Sequence, residues 1–117
     1  MVFYDMGEFK MKIVTTETIS DRNITEIKEA IFSEQVLSVN VVKDAISGIK
    51  GIFGGKSNSY SEEYAKGREL AINDLQKEAE KIGANAIVGT VVDYNQFVNS
   101  DIMLIIVTAS GTAVSVQ

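Results

Sequence analysis

Apolar and polar positions alternate between two rhythms along this chain. Lys10 to Ser20 (KMKIVTTETIS) is crowded with β-branched residues and ends at Asp21-Arg22-Asn23, which predicts a strand followed by a turn. Ile24 to Leu37 carries two signals. Ile24, Ile27, Ala30 and Ile31 have helical spacing, while the end of the segment alternates as a strand does; strand is the preferred reading. From Val39 to Phe53 the apolar residues Val42, Ala45, Ile46, Ile49, Ile52 and Phe53 return at three- and four-residue steps and predict a helix. Gly48 and Gly51 each weaken that helix by roughly 1 kcal/mol relative to alanine, and Gly54-Gly55 should stop it.

A second helix follows. Ser59 and Glu62 have the spacing of a capping box, in which hydroxyl and carboxylate satisfy free amides at a helix start. The helix should run to about Ile82 and end on Gly83. Its buried stripe is Tyr60, Tyr64, Ala71, Leu75, Ala79 and Ile82, with Ile72 at the margin and Leu70 off it. Ala86 to Tyr94 (AIVGTVVDY) and Ile102 to Val116 (IMLIIVTASGTAVSV) read as strands joined by a polar loop, NQFVNS. The predicted order is β-β-α-α-β-β in one domain of the α+β class.

One block breaks the rule of a half-wet sheet. Ile102-Met103-Leu104-Ile105-Ile106-Val107 does not alternate, so both faces of that strand should be dry, and Val88, Val91 and Val92 repeat the message. Two helices cover one sheet face and leave the other in need of a partner, most simply copies of the same chain.

Composition narrows the chemistry. The 117 residues suit one modest core, and 45% hydrophobic with 23% charged residues is ordinary for a globular protein. The formal net charge is −5, and the Lys and Arg residues are scattered, which disfavours nucleic acid. The chain has no Cys and no His, so thiolate and imidazole chemistry is absent, along with the usual soft-metal ligands. No apolar run approaches the roughly 20 residues that span a bilayer. The start, MVFYDMGEF, lacks a basic segment and carries Asp5 and Glu8, so a cytoplasmic location is expected.

GIFGGKS, residues 51 to 57, ends like a phosphate-binding loop. Such a loop needs a glycine five positions before Gly55, where Lys50 stands, and Glu62 and Glu63 bring negative charge to the following helix start. A glycine turn between helices is the better reading. Ser, Thr, Tyr, Lys and carboxylates leave an enzyme site at subunit boundaries as one alternative. Lys56, Tyr60, Asp93 and Tyr94 are the candidate ligand-binding residues, and oxygen ligands around Asp93 and Tyr94 would be the place for a metal ion. No pattern names a cofactor.

The run GIKGIFGGKSNSYSEEYAKGRELAINDLQKEAEKIGANAIVGTVVDY, with TTET near the start and SGTAV at 110 to 114, resembles the YbjQ family of small bacterial and archaeal proteins. The resemblance covers about residues 11 to 116, and residues 1–10 stand ahead of the domain as an extension, with the domain itself at 11–117. It implies two helices packed on an antiparallel sheet, a YbjQ-like or dodecin-like subunit, and a ring-shaped homopentamer with a barrel-like interior. It also favours strand for Ile24 to Leu37. The family carries a heavy-metal-binding label. Acidic residues of the family pattern are replaced here by Val91 and Asn95, leaving Asp93, and glycines of the second strand are replaced at Ser33-Glu34. The implied partners are further copies of the chain, with a small molecule or metal as ligand; the implied role is a non-enzymatic binding or assembly module.

Overall fold

In a computed structural model of the chain, residues 2–6, 9–40, 55–99 and 101–117 are described. Five strands and one helix occupy them: β1 (Val2–Met6), β2 (Phe9–Ile13), β3 (Ile24–Asn40), α1 (Gly55–Lys81), β4 (Ala86–Asn99) and β5 (Ile102–Val116). The strands form a single sheet in the order β1-β2-β4-β5-β3.

This corrects the expected fold class. In place of two helices on an antiparallel sheet in β-β-α-α-β-β order, the described residues hold one helix on a mixed, strand-rich sheet in β-β-β-α-β-β order. β2 pairs with β4 in parallel through Lys12↔Ala86 and Ile13↔Ile87, while every other pairing is antiparallel. Val39 and Asn40, expected to open a helix, are still strand, held opposite Met103 and Ile102 of β5. The rest of that expected helix, residues 41–53, lies outside the described residues.

The helix keeps its predicted stripe. Ala71, Leu75 and Ala79 are fully buried, Ile72 nearly so, and Tyr60, Tyr64 and Ile82 pack half-buried against the same core. Leu70 stays exposed. The helix starts at Gly55, four residues before the expected cap at Ser59. Its end follows the glycine rule in detail. Gly83 has φ of 77°, the Ala84 amide donates to the Ala79 carbonyl at 3.0 Å, and the Gly83 amide donates to Glu80 at 3.0 Å. This is the paired closure of a Schellman motif. Gly83→Ala is therefore expected to cost about 1 kcal/mol, because a Cβ disfavours the left-handed backbone. The check is a lowered midpoint in a thermal melt.

Two polar contacts pin the helix to β3. Ser33 donates from Oγ to the Ala71 carbonyl at 2.7 Å, and the Gln35 amide donates to the Asp74 carboxylate. Below them lie Ile105 and Val107 of β5, both fully buried. At the far end of the strand, Asn85 acts as a piece of backbone for the last residues of the chain. Its side chain donates to the Val116 carbonyl at 3.0 Å and accepts from the Val116 amide at 2.7 Å.

The opposite sheet face has a smaller core of its own. The first strand was expected to reach Ser20 but ends at Ile13, and residues 14–23 fold across the sheet instead. Thr16 turns inward on its own segment, donating from Oγ1 to the Thr18 carbonyl at 2.6 Å, a local bond that competes with strand pairing. Ile19 then packs with Val14, Ala86, Val88 and Val114. Lys12, buried to 6% exposure, reaches Asp21 at 3.5 Å and ties the connection down. A hydrogen bond from its own backbone, then the Lys12 charge, holds the Asp21 carboxyl below its ordinary pKa.

β3, β4 and β5 project together beyond this body. The expected polar loop NQFVNS is almost wholly strand: β4 continues to Asn99, which faces Ile102 across the turn. The radius of gyration is 17.4 Å, against about 13 Å for a compact chain of this length. A long arm on a small body accounts for the difference.

Candidate functional site

Pairing register decides which side chains share a face, because residues directly opposite each other point to the same side of a sheet. On β5, Met103, Ile105 and Val107 lie under the helix and are buried. Ile102, Leu104 and Ile106 point the other way. Rows of three cross this outer face: Phe32–Ser110–Val91, Glu34–Thr108–Asp93, Val36–Ile106–Asn95 and Ser38–Leu104–Phe97. Phe32, Val36, Val91, Phe97, Ile102 and Leu104 remain between 37% and 64% exposed there. Among the described residues, the doubly apolar block of the sequence thus has one dry side and one side that nothing covers.

Among the described residues, the outer edges of the arm have no strand partner either. β3 stands at the border of the sheet along its 17 residues. β4 meets β2 at its start, where the Gly89 and Thr90 amides donate to Thr16 and Val14 at 2.8 and 3.1 Å. Past Thr90, its outer edge has no strand partner among the described residues. The two bare edges lie on opposite sides of the three-stranded arm.

The sequence-derived candidates are divided by this geometry. Asp93 and Tyr94 are neighbours in sequence, yet the pleat sends them to opposite faces. Asp93 joins Glu34 and Thr108 on the outer side. Tyr94 turns to the helix side, where it meets Tyr64 edge-on with ring centroids 5.4 Å apart. The Tyr64 hydroxyl donates to the Gln96 side chain, and Tyr60 packs on the core one helical turn away. Tyr60, Tyr64 and Tyr94 are therefore gathered on one face, and Asp93 is not among them. Lys56 falls in the first turn of α1, and its side chain lies outside the described residues.

One feature had no local signal in the sequence. A cavity of about 430 Å³ opens under the helix where β2 leaves β4, with Ile13, Val14 and Thr15 on one side, Ala65, Arg68, Glu69 and Ile72 of α1 above, and Thr90 and Val92 of β4 behind. Its wall depends on a bulge. Between Val88 and Val91 the register with β5 slips by one residue, and Gly89 takes φ of 60°, which turns Thr90 to the helix side. The Thr90 hydroxyl is buried with no hydrogen-bond partner.

A β-rich chain with, among the described residues, one helix over a mixed sheet and arm edges that lack a strand partner is the class of protein these features define. The chain belongs to the YbjQ family: residues 11–117 match the family described as "Putative heavy-metal-binding". It is similar to a UPF0145 protein of Clostridium botulinum, 43% identical over 104 residues that cover 89% of this chain and 97% of the relative. A UPF0145 protein of Listeria grayi is 41% identical over 107 residues, covering 92% of this chain and all of the relative. The crystal structure of a DUF74-family protein of unknown function from Pediococcus pentosaceus shares the fold, with a TM-score of 0.64 at 17% identity over 92% of this chain and 98% of that one. Among the described residues no helix is long and apolar enough to cross a membrane.

The donor set does not fit the metal in the family description. Soft and borderline metals are held chiefly by thiolate and imidazole, of which the chain contains neither, and the thioethers of Met11 and Met103 are buried in the core. Among the described residues no three acidic groups converge. Glu34 and Asp93 share a row with Thr108, but two carboxylates and a hydroxyl fall short of the six to eight oxygens a calcium ion takes.

Proposed function

We propose that this chain is a non-enzymatic binding or assembly module of the cytoplasm that works as a homo-oligomer, with copies joined side by side through their sheets. One observation carries the reading: six uncovered apolar side chains on the outer face lie between two unpaired strand edges, β3 on one side and β4 on the other. A bare edge is a template for another strand. Because the two edges are different surfaces, joining one to the other is a head-to-tail contact, and such contacts close into rings when the rotation permits. Closure would turn the outer faces towards one another and dry them. Burying six side chains of this kind contributes on the order of 10 kcal/mol before association costs. Five copies is the number the family resemblance implies.

Sedimentation velocity of the full chain at micromolar concentration tests this. The expected result is a single species at five times the subunit mass of 12.7 kDa. A species at the subunit mass, unchanged on concentration, overturns the reading.

A further inference from the structure

The cavity beneath α1 lies within one chain, so it stands apart from the assembly proposed above. Its interior is apolar: Ile13, Ile72 and Val92 form the walls. Its volume, about 430 Å³, falls within the range of roughly 300–1,000 Å³ typical of small-molecule sites. Its mouth is charged. Arg68 and Glu69 are consecutive on α1, both are exposed, and among the described residues neither is held in an ion pair. The surrounding chain is acidic, at −5 overall, which makes an uncommitted arginine beside an apolar cavity notable.

The pair of opposite charges restricts the ligand. A plain carboxylate would meet Arg68 favourably and Glu69 unfavourably; a plain amine would do the reverse. A molecule carrying an ammonium and a carboxylate on one carbon uses both residues, and an apolar side chain on the same carbon uses the walls. We infer that the cavity binds a small zwitterion with an apolar side chain, of the chemical class of the aliphatic α-amino acids, with Arg68 taking the carboxylate and Glu69 the ammonium.

Thr90 supplies an independent sign that the cavity is made to be filled. Its residue is only 6% exposed and its hydroxyl has no partner, although buried hydroxyls are nearly always bonded. The oxygen packs towards Gly111, 3.3 Å from where a β-carbon there would sit. A rotation of about 120° about the Cα–Cβ bond of Thr90 moves the hydroxyl off Gly111 to another staggered position, from which it can face the cavity that the residue lines. A polar atom of the ligand then gives it the bond it lacks.

The test is a titration of the full-length protein, followed by amide chemical shifts, with L-leucine as the probe. Three relatives each lack one feature: 4-methylpentanoate lacks the ammonium, 3-methylbutylamine lacks the carboxylate, and glycine lacks the side chain. Leucine is expected to give saturable shifts centred on Ala65, Thr90 and Val92, with the three relatives binding at least tenfold more weakly. Arg68→Gln and Glu69→Gln, both at exposed positions, should each weaken leucine about tenfold and leave the thermal midpoint of the free protein unchanged. Thr90→Val should weaken leucine while raising that midpoint, because it removes a buried hydroxyl with no partner. A merely structural threonine would not separate the two readouts. Absence of saturable shifts with leucine overturns the inference. So does equal binding of 4-methylpentanoate or of the amine, which would assign the cavity to a single-charge ligand, and so do shifts that map elsewhere on the chain.

Discussion

Replacing Gly67 with valine is expected to lower stability by about 3 kcal/mol or more. Gly67 is buried where α1 crosses the sheet. A β-carbon there would lie 2.7 Å from Cγ2 of Val107 and 2.9 Å from Cδ1 of Leu37. The leucine contact can be relieved by turning a flexible end. The valine contact cannot: its methyl sits one bond from the branch point, and Val107 is fully enclosed in the centre of β5. Alanine at position 67 gains roughly 1 kcal/mol of helix propensity, which offsets part of the clash. Valine loses that advantage and adds two further methyl groups, so the helix must lift from the strand. At fixed protein concentration the thermal midpoint should fall by roughly 10 °C. Leu70→Val, at an exposed site on the same helix, should change it little. Combining Gly67→Ala with Val107→Ala opens room for the new methyl, so the pair should cost less than the sum of the single changes. A Gly67→Val protein that melts like the parent would mean the helix does not approach the sheet this closely.

Gly67 also shows what a sequence reading reaches and what it does not. The stripe Ala71, Leu75, Ala79 repeats every four residues, and that period alone placed it against the core. Gly83 was legible for a similar reason: a glycine after the last periodic residue has few other uses. Gly67 has no such local meaning, since its role depends on Val107, forty residues away and on another element. The parallel partnership of β2 with β4 was hidden in the same way, because periodicity reports which face is dry and says nothing of neighbours. The far half of β4 was read as a loop. The loop reading covered Asn95 to Asn99 of it, which are exposed on both faces, so the alternation that marks a strand is missing.

Of the candidate site, Tyr60 and Tyr64 were legible as one core-facing stripe of the helix, whereas Tyr94 was grouped with Asp93 and instead shares the face of the two helix tyrosines. Separating Asp93 from Tyr94 needed only the two-residue period of a strand, once Asp93 was known to lie inside β4 and not at its end. The cavity was out of reach. Its residues come from a strand end, a helix face and a bulge, and each of Thr15, Arg68 and Thr90 is unremarkable in its own neighbourhood.

A lysine at position 104 distinguishes the two faces of the arm most sharply. Leu104 lies at the centre of the uncovered side, directly between Phe97 and Ser38. In an isolated chain it is already 37% exposed, and a lysine there can carry its ammonium into water along its own stem. The change should therefore alter the folded subunit little. In an assembly whose outer faces meet, the same ammonium would have to be buried beside Phe97 without a partner, a cost of several kcal/mol at each copy. The expected result is loss of the oligomer, with an apparent dissociation constant raised at least a hundredfold and the far-ultraviolet circular dichroism retained. Val98→Lys is the comparison, since Val98 stands on the helix side of the same arm and is 63% exposed. It adds the same charge to the same strand pair and should leave the assembly largely intact. If Leu104→Lys sediments with the parent, the apolar row is not what joins the copies, and contact through the strand edges alone would have to bear the association.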